Sequence, residues 1–247
     1  MLGFLRLLAG LALLPMCWGV SRTFFDSIVI AAGASGVANA EVLSLLGGIA
    51  AFALAWMALS HPVKMYVLGH ELTHALWGLL FGARPSDVRV SGSGGSVKLT
   101  KSNVLITLAP YFFPFYTFVV IVVALVTAAF LRPLPYLPLW MFLVGFTWSF
   151  HVLFTLETLG QRQPDVKLYG RIFSWTFIFI ANVLIVLVWL ASMTSLTFAD
   201  LGGILVNRVV SAYTGIGLFV WSVCRWLHAR LTAFILPSSF FILHSSF

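Results

Sequence analysis

Long apolar runs alternate with short polar breaks along nearly the whole chain, and most of the runs are about 20 residues long, the length that crosses a bilayer as a helix. Residues 2–20 (LGFLRLLAGLALLPMCWGV) form the first, with one early Arg6. No small-x-small cleavage pattern follows, which favours a retained span over a signal peptide. A weakly apolar, Gly/Ala-rich connector over 21–40 leads to a second span at about 41–60, ending at Ser60-His61-Pro62. The third, at about 63–82, contains GHELTHALWG. Further spans are expected at about 103–130, 137–157, 171–194 and 203–227, the last being the least apolar. Pro110 and Pro114 should bend or break the fourth, because proline cannot donate a backbone hydrogen bond and clashes with the preceding turn.

One stretch departs from this pattern. In residues 83–102 (ARPSDVRVSGSGGSVKLTKS), Val88 and Val90, then Val97 and Leu99, alternate with polar positions around a Ser/Gly turn. Period two flanking such a turn predicts a β-hairpin. The expected fold is an all-α polytopic membrane protein of six to seven transmembrane helices, with a short β-hairpin after the third. It forms a single integral-membrane domain over 1–247: N-terminal spans to residue 60, a core at about 60–195, and a C-terminal span and tail over 196–247.

Composition agrees. Hydrophobic residues make up 61% of the chain and charged residues 9%, with a mean hydropathy of +1.04. Soluble domains carry about 25% charged residues, so lipid must replace water over much of this surface. The net charge of +7 comes without basic runs or basic–aromatic interleaving, which argues against nucleic-acid binding. The charge instead reports topology. With seven crossings, one side collects Arg22, Arg84, Arg89, Lys98, Lys101, Arg162, Lys167, Arg171, Arg225 and Arg230, against Arg6, Lys64, Arg132 and Arg208 on the other. That excess places the hairpin and the 158–170 loop in the cytoplasm. Cys17 and Cys224 lie in apolar segments at opposite ends of the chain and form no disulfide or metal-binding pattern.

Chemistry concentrates in His70-Glu71-Leu72-Thr73-His74. Residues i and i+4 share one helix face, so His70 and His74 can ligate one Zn²⁺. Glu71 projects about 100° away and can reach a water in an open coordination position as general base. Ionisable residues inside an apolar helix are costly and point to function, although helix–helix hydrogen bonding is the bland alternative. Zinc needs a third protein ligand. Asp26 and Asp200 fall in expected loops away from the motif, Glu41 begins a span, and Asp87 adjoins the hairpin. Glu157 and Asp165 bracket the end of the fifth span. Reach favours Asp165: a re-entrant dip of its loop would bring it to the metal. Its alternative is an ordinary loop acid paired with Arg162, Lys167 or Arg171. His151 reads as a packed bundle histidine, His61 as interfacial, and Asn182 as a hydrogen bond between helices.

A span bearing GHELTHAL, a hairpin-like segment, a further span, and a helix ending near an acidic loop resembles the site-2 protease family of intramembrane zinc metalloproteases. The likeness covers about residues 60–195 and is anchored on the His70–His74 pentad. In that family the third ligand is an Asp reached through an Asn-x-x-Pro approach and followed by Gly. The corresponding stretch here runs from Glu157 to Asp165, with Glu157 at the Asn position, Gly160 at the Pro position and no Gly after Asp165. The resemblance is therefore to a divergent branch. It implies Asp165 as ligand, Glu157 as a substrate-orienting residue, and a membrane protein or peptide as substrate. An unwound substrate could add to a hairpin edge formed by Val88–Val90 or Val97–Leu99. The other readings are a catalytically inactive scaffold and a metal transporter.

Overall fold

The computed structural model describes residues 2–34, 40–92, 94–131, 134–161, 163–194 and 196–235; Arg132, Arg162 and the tail beyond residue 235 lie outside them. The element order is α1 (Leu2–Ala34), α2 (Ala40–Ala58), α3 (Val63–Leu80), β1 (Pro85–Ser91), β2 (Gly94–Leu99), α4 (Val104–Leu108), a 3₁₀ turn (Ala109–Tyr111), α5 (Phe115–Phe130), α6 (Leu137–Gly160), α7 (Pro164–Tyr169), α8 (Arg171–Met193) and α9 (Phe198–Ile235).

Among the described residues, five helices are long and apolar enough to cross a membrane: α1, α2, α6, α8 and α9. Counting α4, the 3₁₀ turn and α5 as one broken span gives up to six. The protein is thus a multi-pass helical membrane protein with a small antiparallel hairpin. The expected third span is not among the five. The segment is helical, but Lys64, His70, Glu71 and His74 lower its hydropathy, and His70, Glu71 and His74 line a cavity.

Two boundaries differ from expectation. The connector over 21–40 is helical as far as Ala34, so α1 is a single helix of 33 residues. The polar residues that suggest a break are satisfied on the helix itself: Ser21 Oγ donates to Cys17 O (2.8 Å) and Thr23 Oγ1 to Gly19 O (2.9 Å). Asp26, expected in a loop, lies on α1 and pairs with Arg208 of α9. The last helix begins at Phe198 rather than near 203. Thr197 explains the early start, because its Oγ1 accepts from Asp200 N–H (3.1 Å) and caps the first turn.

Close helix contacts hold the bundle. Gly48 of α2 and Gly145 of α6 sit against opposing backbone, at Phe142 and Leu45 respectively, with no room for a Cβ. Small residues at such a crossing let backbones approach and gain dispersion, which replaces the hydrophobic effect inside lipid. Phe52 extends this contact with edge-to-face packing on Phe146 (5.0 Å) and Phe150 (5.4 Å). On the other flank, α1 runs along α8 at Gly10 and along α9 at Gly19.

The broken element positions the site. Asn103 caps α4 by accepting from Ile106 N–H (2.8 Å). Pro110 and Pro114 then interrupt the helix, and the two halves meet at 84°. Leu108, Ala109, Tyr111 and Phe112 at the break pack with Val166 of α7 and Ile178 of α8, which brings the Asp165 segment against α3.

Candidate metal centre

The three candidate ligands converge. His70 Nε2 and His74 Nε2 each lie 3.5 Å from Asp165 Oδ2. These are the only three His, Cys, Asp or Glu side chains among the described residues that could share one metal ion. Two ligands of a tetrahedral zinc, each about 2.0–2.1 Å from the metal, stand about 3.4 Å apart. Both His–Asp distances match that edge, the three ligand atoms lie within 4.8 Å of one another, and the N/N/O donor set suits zinc. His151 is buried in α6 outside this group.

The outward nitrogens are also engaged. His74 Nδ1 lies 2.9 Å from Ile106 O, so it carries the proton and leaves the Nε2 lone pair facing Asp165. The acceptor is a product of the broken helix. In a regular helix Ile106 O would receive the N–H of residue 110, but Pro110 has none. His70 Nδ1 shares a hydrogen bond with Tyr66 Oη (3.3 Å), one turn earlier on α3. Such partners fix ring orientation and tautomer at metal sites. Pro110→Ala lets the helix reclaim that carbonyl, and we expect zinc affinity to fall about tenfold, in the range for loss of an outer partner. A chelator-competition titration measures it, and unchanged affinity would show that Pro110 has no part in the site.

Asp165 reaches the histidines on a short helix, α7, rather than on an irregular dip. Burial pushes its carboxyl up, but when the imidazoles of His70 and His74 are protonated their hydrogen bonds and charge outweigh that and hold it below the usual carboxylate range. Neither Lys167 nor Arg171 pairs with it.

Glu71 lies on the same cavity as the three candidate ligands, buried against β2. A Cβ added at Gly95 would stand 2.6 Å from Glu71 Cγ and 2.8 Å from Oε1, so glycine lets the strand cross over this carboxylate. The cavity, about 790 Å³, is lined by His70, Glu71, His74, Asp165, Glu157 and residues of β2. That size suits a bound segment of several residues.

The predicted substrate-side residues divide. Val97 and Leu99 of β2 line the cavity, whereas Val88 and Val90 of β1 are exposed and do not. The pairing runs from Pro85 opposite Leu99 to Ser91 opposite Gly94, with a bulge between Ser86 and Arg89. Asp87 takes a left-handed backbone at this bulge. Lys98 and then Arg89 beside it hold its carboxyl below the usual range. The sheet has two strands among the described residues, which leaves the far edge of β2 without a strand partner. Glu157 stands at the cavity wall, 3.7 Å from His61 Nδ1, and His61 stacks on Trp56 at 3.6 Å.

Sequence reasoning missed Tyr66, Gly95, Tyr111 and the Ile106 carbonyl. Tyr66 carried a usable signal, because it precedes His70 by one turn. The others come from separate elements.

Comparison with known proteins yields no match: no family model, no curated protein and no solved structure is significantly similar to the chain.

Proposed function

We propose that this chain is an intramembrane zinc-dependent endopeptidase that hydrolyses peptide bonds in transmembrane or membrane-adjacent segments, as a divergent relative of the site-2 proteases. The observation that carries the reading is the approach of His70, His74 and Asp165 ligand atoms to within 4.8 Å of one another, on a cavity that also holds Glu71. His70, His74 and Asp165 are the ligands. A zinc ion there supplies Lewis acidity to a water and to the scissile carbonyl.

Each remaining step belongs to the chain. Glu71 takes the proton of the attacking water on its carboxylate and delivers it to the departing amide nitrogen. The free edge of β2, at Val97 and Leu99, receives the substrate as an extended strand and exposes its carbonyls, which a helical segment hides. Glu157 at the cavity wall orients the substrate backbone or a polar side chain. The hairpin and α7 face one cavity and so one side of the membrane, which the excess of Lys and Arg assigns to the cytoplasm.

The test is reconstitution of the purified chain with a peptide whose apolar segment contains helix-weakening residues. Cleavage that stops with a zinc chelator and returns when zinc is restored is the expected result. Stoichiometric zinc without cleavage of any such peptide would favour the inactive scaffold.

A further inference from the structure

We infer that Tyr111 is a positioning residue for the metal centre, its hydroxyl setting the rotation of the Asp165 carboxylate toward His70 and His74. The inference rests on the metal reading above and extends it to a residue outside the ligand set.

Asp165 needs such a partner. It sits in the first turn of a six-residue helix, directly after Pro164, and its carboxylate can rotate about the terminal side-chain bond. Tyr111 Oη donates to Asp165 Oδ2 at 3.1 Å, the same oxygen that faces both imidazoles. Among the described residues the Tyr111 hydroxyl makes no other hydrogen bond.

The tyrosine is itself held at several points. It is fully buried, in the cluster that includes Val166 of α7. Its ring stands edge-on to His70, with centroids 5.3 Å apart and planes at 86°. Its carbonyl, at the break in the fourth span, accepts from Asn182 Nδ2 of α8 at 2.9 Å. Asn182 Nδ2 also donates to Ile178 O at 2.9 Å, which fixes the amide on its own helix. A chain of contacts therefore runs from α8 through Asn182 and Tyr111 to Asp165. A carboxylate held by a donor outside the coordination sphere loses less rotational freedom on binding a metal, and outer partners of this kind are worth about 10–100-fold in affinity.

The test uses the full chain in detergent and competition for zinc against a chromophoric chelator. Tyr111→Phe keeps the ring and its contact with His70 but removes the donor. Its zinc affinity should fall about 10–100-fold with the melting temperature of the metal-free protein little changed. The visible absorption bands of the cobalt-substituted protein should shift as well. Asn182→Ala, which keeps the hydroxyl but unties the residue from α8, should move affinity the same way by less, and it carries the test if Tyr111→Phe fails to fold. Zinc bound by wild type with equal affinity and equal cobalt spectra in both variants would overturn the positioning role alone. No zinc bound by wild type would overturn the metal reading and this inference with it.

Discussion

Asp165→Asn is expected to lower zinc affinity by more than about 100-fold, beyond what loss of an outer-sphere partner costs. The carboxylate contributes the only charged donor of the set, at 3.5 Å from both imidazole nitrogens. Its amide replacement keeps the shape but loses the charge and half the acceptor capacity. His70→Ala and His74→Ala should each abolish stoichiometric binding, because two protein donors cannot make a stable closed set for zinc. Glu157→Gln is the control: its carboxylate faces His61 rather than the pair on α3, so it should retain zinc and alter only turnover or substrate preference. Metal content of the four purified variants decides the matter. Zinc retained in Asp165→Asn and lost in Glu157→Gln would exchange the two roles.

The second large effect concerns Glu71. Glu71→Gln should keep wild-type zinc content and reduce peptide cleavage by about 10²–10⁴-fold, the range for removal of a general base. Gln is nearly isosteric, so the tight packing beneath Gly95 survives, and what disappears is the basic oxygen that receives the proton. Zinc content and cleavage rate, measured on the same preparation, separate this from loss of metal. Cleavage at the wild-type rate would remove Glu71 from the chemistry and leave a metal site without a catalytic base.

Much of the architecture was legible because it is local. The i, i+4 spacing of His70 and His74 is a property of one helix turn. The alternation around Gly92–Gly95 is likewise local, and it became β1 and β2 near the expected positions. Pro110 and Pro114 announce a break by chemistry alone, and the break is there. Where local reading failed, it was because polar residues found partners that a linear pattern does not encode. Ser21 and Thr23 look like a connector but bond to carbonyls of their own helix, and Asp26 looks like a loop acid but meets Arg208. The pentad-bearing helix looked like a span because its ends are apolar. Its middle is polar enough that it is not among the five candidate spans.

From the sequence alone came the membrane class, the hairpin, the helix break, the His70/Glu71/His74 constellation and the choice of Asp165 over Glu157 as the carboxylate that meets it. Only the tertiary structure decided that Asp165 reaches the histidines on a helix, that β2 rather than β1 faces the cavity, and that the broken span supplies Ile106 O and Tyr111 Oη. Those contacts join residues 32 and 54 positions apart. The physical reason is that periodicity reports which face of an element is apolar, whereas the partner of a hydrogen bond depends on how separate elements pack. Proline reveals that a carbonyl is set free, but only the packing of α3 against the break determines that His74 takes it.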